Sequence, residues 1–455
     1  MKLQRLLVVG AAACLVAAGC SSGRDDAAVV GAPGATASGS ASAACDSADL
    51  QATDIGITKD TITIETVADV GSQAAPGIAN GSLEAMKAWA DVVNKSGGLA
   101  CREVVIRTFD SKLDPGESRS GMVDSCQNAF ADVGSFTLAV ADVTPLAECV
   151  DGAGKPTGQP QVPAVSTNAL IACNKTTYLA QGITFSCPPS QGARTFTVGT
   201  SLGDYLRQVV GGDAHGQFQI GYTSPSFLDV TMPTVVQLRA QGLAGPVYGA
   251  KAADPQSAYT SVVQGMKSSG AQFVFANSTF PSFVQLQREA AAQGVEVPHW
   301  FCQGACYDPA YVKAAGDLAK GTEILLASLP FEEADVNEEM KTFVDNVDTH
   351  NTFAFSSWVA ARLFQQAVEA VVTKDGPNGL TRASVLGALE AVKDFDAGGL
   401  IGPNTPSAHL PNLCVVAVKV GADGGFERVF PKEAGTLSCA GSGKQTFDPI
   451  AEFSR

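Results

Sequence analysis

The sequence predicts an α/β protein: two lobes of doubly wound parallel sheet. Short β-rich runs alternate with helix-length amphipathic stretches along most of the chain, the pattern of parallel strands covered by helices on both faces. The alternation falls into two sets of similar length. About 400 residues remain after an N-terminal leader, enough for two ordinary cores.

The first set opens with the β-branched run TITIETV at 61–67, then a turn at 77–81. Leu83, Met86, Trp89, Ala90 and Val93 recur at three- and four-residue spacing, as on one face of a helix, and Gly97-Gly98 stops it. A strand at 103–109, a turn at Asp114-Pro115-Gly116 and a helix to about 131 follow, then strands at 136–141 and 162–166. The second set has strands at 218–223, 246–248, 271–276, 299–301 and 322–327. Helices near 229–242, 255–269 and 280–294 separate the first four. A long helix is expected at 353–373, another from a Thr381 cap to about Val392, and a hairpin at 414–429 around a glycine turn.

The leader carries the information on address. A basic head with Lys2 and Arg5 precedes fourteen uncharged residues, Leu6 to Gly19, short of the roughly twenty apolar residues of a membrane span. The small residues Ala17-Ala18-Gly19 then meet Cys20, which resembles the bacterial lipoprotein signal; the resemblance implies cleavage after residue 19 and acylation of Cys20. The Ala/Gly/Ser/Thr-rich, aromatic-free stretch that follows cannot bury enough apolar surface to order itself and reads as a tether.

Charge and cysteine content narrow the function classes. The formal charge of −15, or −17 without Lys2 and Arg5, repels nucleic acid, and no Lys/Arg cluster offsets it. Of twelve cysteines, Cys14 and Cys20 belong to the leader, leaving an even ten in an exported chain. There is no CxxC and the four histidines are scattered, so disulfides are expected rather than a metal site, and no cofactor. Pairing of neighbours gives Cys126 with Cys149, Cys173 with Cys187, Cys302 with Cys306 and Cys414 with Cys439, leaving Cys45 with Cys101. No GxSxG, HExxH, GxxxxGK[ST] or post-strand GxGxxG motif is present, which counts against the common enzyme classes.

Four stretches in order carry a resemblance to the type I periplasmic binding proteins of the leucine/isoleucine/valine-binding group. They are DVVN at 91–94 before Gly97-Gly98, DSKLDP at 110–115, LTR at 380–382, and FDAGGLIGP at 395–403. The similarity runs from about 55 to 450. It implies three crossings between lobes, with lobe one at 55–187 plus 330–400 and lobe two at 190–327 plus 403–440. The signal (1–19), the lipidated N-terminus and tether (20–54) and a C-terminal tail (441–455) flank them. It also implies a monomer that captures a small polar solute and hands it to the permease subunits of an ABC importer, with the membrane reached through the lipid. The solute would be a branched-chain amino acid, an amide or a related compound. A sensory module of the same fold is the alternative.

Ligands of parallel α/β sheets bind at the carboxyl ends of strands. That rule nominates Asp69 and Ser72, then Asp142, Val143 and Thr144, then Ser166, Thr167 and Asn168 in lobe one. In lobe two it nominates Tyr222 and Phe227, Asn277 and Thr279, and Gln303 and Tyr307. Each has a plainer reading: Asp142 or Thr144 as a helix cap, Ser166 to Asn168 as turn formers, the aromatics as core. Where the amino-acid binders place an aromatic residue this chain has Thr279, and their acidic residue falls near Ala305 or Cys306. A buried ammonium without an anion is costly. So Asp69, Asp142 or Asp229 substitutes, or the ligand is an amide, urea-like or carboxylic compound.

Overall fold

The β-branched run at 61–67 forms β1 (Thr61–Ala68). β2 (Glu103–Asp110), β3 (Ala131–Val133) and β4 (Gln161–Val162) join it in a parallel sheet ordered β2-β1-β3-β4. This computed structural model describes residues 45, 49–73, 76–166, 168–182, 187, 192–222, 227–251, 254–439 and 441–454. The signal, Cys20, most of the tether and Thr167 lie outside the described residues. Side chains alternate across a strand, so Ile62 and Ile64 face one helix layer. There the helix Asn80–Lys95 buries Met86, Trp89 and Val93, as its spacing predicts. The helix Pro115–Asn128 starts where Asp114 accepts from the backbone N–H of Gly116 and Glu117, with Pro115 in the first position.

One expected strand is displaced. The third strand lies at 131–133 rather than 136–141, and Phe136 keeps only a single bridge to Ala68. Gly134, at φ +69°, turns the chain out of the sheet where a side chain would collide with Met86.

Chain order continues with β5 (Arg194–Gly199), β6 (Gly216–Gly221), β7 (Val247–Ala250), β8 (Phe273–Asn277) and β9 (His299–Gln303). Then come β10 (Glu323–Leu326), β11 (Cys414–Val420), β12 (Phe426–Phe430), β13 (Ser438–Cys439) and β14 (Ser442–Phe447). The second sheet runs β12-β11-β10-β9-β8-β6-β7, parallel from β10 to β7 and closed at the other side by the β11–β12 hairpin, with β13 on β11. Its period-two alternation splits the core. Val274, Ala276, Cys302 and Ile324 face one layer, Phe273, Phe275, Phe301 and Leu325 the other.

Among the elements of this lobe not expected from sequence are the helix Ser201–Val210, β5, and its antiparallel partner β14 from the C-terminal segment. Phe447 of β14 packs on Phe196 of β5, ring centroids 4.7 Å apart. The stretch after 441 is therefore part of a folded lobe.

Two asparagines stitch the segments that cross between the sheets. Asn404 exchanges both backbone hydrogen bonds with Phe395 and donates from its side chain to the Leu179 and Ala180 carbonyls. Asn412 donates its backbone N–H to Gly182 and its amide to the Ala327 carbonyl. Gly182 sits so close to the Leu410 carbonyl that a Cβ would overlap it. The five disulfides are those expected from neighbour pairing: 45–101, 126–149, 173–187, 302–306 and 414–439.

Candidate functional site

A cleft of about 400 Å³ opens between the two sheets at the carboxyl ends of β8, β9 and β10. The parallel register puts Ala276 beside Cys302, so the next residues, Asn277 and Gln303, stand level at adjacent strand ends. Both line the cleft, on the face that carries Phe275 and Phe301 deeper in the sheet. Phe227, just before the helix Leu228–Ala240, and Val230 and Thr234 within it form a second wall.

The opposite wall comes from the start of the long helix Thr352–Asp375 and from the crossings. Asn351 caps this helix, accepting from the N–H of Phe353 and Ala354. The cap aims Thr352, Phe353 and Ser356 at the cleft, where Gln181, Ser328 and Leu413 meet them. Thr352 Oγ1 donates to the Gly304 carbonyl at 2.6 Å, and Gln181 Nε2 to Ser356 Oγ at 3.2 Å. The first bond joins the two lobes directly. Tyr307 closes the floor: it is 2% exposed, stacks on Phe331, accepts from the Phe331 N–H and donates to Glu332. Burial, then the Glu332 charge, drives its phenol pKa well up, which keeps it neutral.

Of the nominated residues, Phe227, Asn277, Gln303 and Tyr307 are brought together in this cleft. The described lobe-one nominees are not among the lining residues, and each is engaged locally; Thr167 lies outside the described residues. Asp69 is fully buried and accepts from Ser111 Oγ (2.6 Å), the Leu113 N–H (2.8 Å) and the Leu138 N–H (2.8 Å). Ser72 is buried beside it in the chain and also has a partner. Neither Asp142 nor Thr144 is the cap: Val143 holds the N-cap position of the short helix Thr144–Ala147, and Asp142 accepts from the Thr144 N–H at 2.9 Å while Arg119 pairs with its other oxygen at 2.8 Å. Hydrogen bonds from the Thr144 side chain and backbone, then the Arg119 guanidinium, hold its carboxyl below the ordinary range. Val143 packs on the small cluster of Met122, Val140, Leu146 and Ile171. Ser166 donates to the Asn168 carbonyl, and Asn168 caps the short helix Ala169–Ala172 while donating to Val140.

In lobe two, Tyr222 stacks on Phe453, and Thr279 sits at the start of the helix Phe280–Ala292 with its hydroxyl 3.1 Å from that of Ser282. Asp229 pairs with Arg194 instead of facing the cleft. Burial raises its pKa and the Arg194 charge opposes the rise. No charged side chain lines the cleft among the described residues. Sequence reasoning missed the helix start at 352–356 and the crossings. The Asn351-Thr352 cap was the signal available for the first; nothing local marks the second. Among the described residues, no three His, Cys, Asp or Glu side chains gather as a metal would need, and no helix is long and apolar enough to cross a membrane.

Comparison with known proteins fits this geometry. Residues 61–425 match the family model described as periplasmic binding protein, and the chain belongs to that family. Among curated proteins no sequence matches it. Solved structures share the fold at low identity. A substrate-binding protein of an ABC transporter from Aeropyrum pernix is 14% identical at TM-score 0.62, over 81% of this chain and 95% of that one. A fatty acid ABC transporter substrate-binding protein from Thermomonospora curvata is 16% identical at 0.62, over 87% and 94%. A leucine binding protein from Thermotoga maritima is 13% identical at 0.57, over 86% and 99%.

Proposed function

We propose that this member of the periplasmic binding protein family is the solute receptor of an ABC importer, held at the outer face of the membrane by a lipid on Cys20. One observation carries the reading: the cleft at the ends of β8, β9 and β10 is shared by both lobes and by the crossings, so a solute inside it couples directly to lobe closure. The Thr352–Gly304 bond already ties one wall to the other. A binding role needs no catalytic group, and the polar atoms of Tyr307 and Thr352 are engaged in holding the walls. The tether predicted after Cys20, some twenty-five residues, reaches roughly 25–30 Å, enough to hold the lobes beside a permease.

The test is a thermal-shift screen of amino acids, amides, urea and short carboxylates on the mature chain, read together with small-angle scattering. A binder should raise the melting temperature and shrink the radius of gyration. Turnover of a bound compound, with no closure, would defeat the reading. The anchor is tested separately: Cys20→Ala should move the protein from the membrane to the soluble fraction.

A further inference from the structure

We propose that the cleft selects an uncharged, mainly apolar compound bearing one hydrogen-bonding group, read by the carboxamides of Asn277 and Gln303. The inference rests on the solute-receptor reading and names the class of solute. It begins from what the walls contain: Val198, Leu202, Phe227, Val230, Phe331 and Phe353 supply apolar surface, and the polar lining is amide and hydroxyl only. The internal positions outside the description (74–75, 167, 183–186, 188–191, 223–226, 252–253 and 440) are uncharged residues too. A zwitterion or an ion drawn into such a site would lose its hydration with no counter-charge to replace it.

Several polar groups of the cleft are already engaged. Tyr307, Thr352, Gln181 and Asn412 are bonded to the chain, the last accepting from the Cys414 N–H while donating to Ala327. The side-chain amides of Asn277 and Gln303 form no hydrogen bond with any described residue. They stand level at neighbouring strand ends and offer two amide NH2 groups and two carbonyl oxygens to the cleft. A carboxamide pair can donate to and accept from a neutral primary or secondary amide or an alcohol at once. A carboxylate would use only the donors, an ammonium only the acceptors. At about 400 Å³ the space suits a compound with an apolar body rather than a single small head group.

The experiment uses calorimetric titration of the mature chain with octanamide, octanoate, octylammonium and L-leucine. Octanamide should bind at least tenfold more tightly than any of the other three, and its affinity should be the same in low and high salt. Asn277→Leu combined with Gln303→Leu should weaken octanamide at least tenfold while the melting temperature of the ligand-free protein stays within a few degrees. If that double variant does not fold, Gln303→Met alone should show a smaller loss in the same direction. Equal or tighter binding of octanoate, octylammonium or leucine overturns the proposal and leaves the solute-receptor reading standing, as does an absence of binding by all four. The receptor reading itself fails on a different result: protein purified from its native cells that carries no small molecule by native mass spectrometry and meets none in the broad screen.

Discussion

The carboxyl ends of the two sheets hold the same topological position and use their polar residues in opposite ways. In the first sheet, Asp69, Asp142, Ser166 and Asn168 all bond to nearby backbone or side chains. In the second, Asn277 and Gln303 reach the cleft with amides that no described residue takes up. The strand-end rule nominates loops, but it cannot tell a loop that holds itself from one that waits for a ligand. That distinction is made by whether hydrogen-bond capacity is already satisfied.

The largest expected effect falls on Asp69. Replacing it by alanine leaves the buried Ser111 hydroxyl and two partly buried N–H groups without their acceptor, so stability should drop by about 3–5 kcal/mol in denaturant melts. A variant that keeps its stability and loses only ligand affinity would break the comparison at its strongest point.

Next is Asp132, buried in β3 beside Glu65 of β1, with one oxygen lacking any partner. Burial pushes its carboxyl up to about 7; hydrogen bonds from Ser135 and Gln161 oppose the rise and the Glu65 charge adds to it. A raised acid pKa means the folded state binds the proton more tightly than the unfolded chain. Its stabilising effect is full below the ordinary value of 3.8 and is lost progressively as pH climbs toward 7. Asp132→Asn should therefore gain stability on wild type across that window, by roughly 2–4 kcal/mol above it, measured as melts at a series of pH values. A constant difference at all pH values would show that the residue does not titrate there.

The cleft wall of the second sheet offers the third contrast, because Cys302–Cys306 closes the loop that carries Gln303. Removing the bond by Cys302→Ala with Cys306→Ala frees a short loop and should cost about 2 kcal/mol. Ligand affinity should fall as well, since the amide of Gln303 loses its fixed position. Stability lost with affinity intact would place the loop outside the binding wall.

Much of the fold was legible because the motifs that carry the family resemblance are braces. Asn94 clamps the backbone of Val104 with both side-chain atoms, and Asp110 gathers the N–H groups of Val70, Gly71 and Lys112. Thr381 forms a capping box with Ser384, and the buried Arg382 donates to carbonyls of Cys126, Ala129 and Phe130. Phe395 pairs with Asn404 at a crossing. Such residues recur with an architecture whatever it binds, so they say little about the ligand. The missing pieces depend on distant partners. β14 reads as a polar alternation, SGKQTF, whose meaning appears only when it meets β5 more than two hundred residues earlier. The cleft wall at 352–356 is likewise the first turn of an ordinary helix until the crossings fold against it.

Asp142 gives the smallest and most discriminating test. It is a third exposed, pairs with a half-exposed Arg119, and otherwise accepts only from the Thr144 N–H at the start of the four-residue helix Thr144–Ala147. An exposed pair of this kind contributes little, so Asp142→Ala should cost no more than about 1 kcal/mol. Its carboxyl is held below the ordinary range, so that contribution is present above the unfolded value and fades as pH falls through the folded one. The wild-type advantage should vanish in acid and ligand affinity should not move at any pH. A fall in affinity with unchanged stability would return Asp142 to the ligand and restore lobe one as a reader of the solute, since no other role of that carboxylate in the fold reaches the cleft.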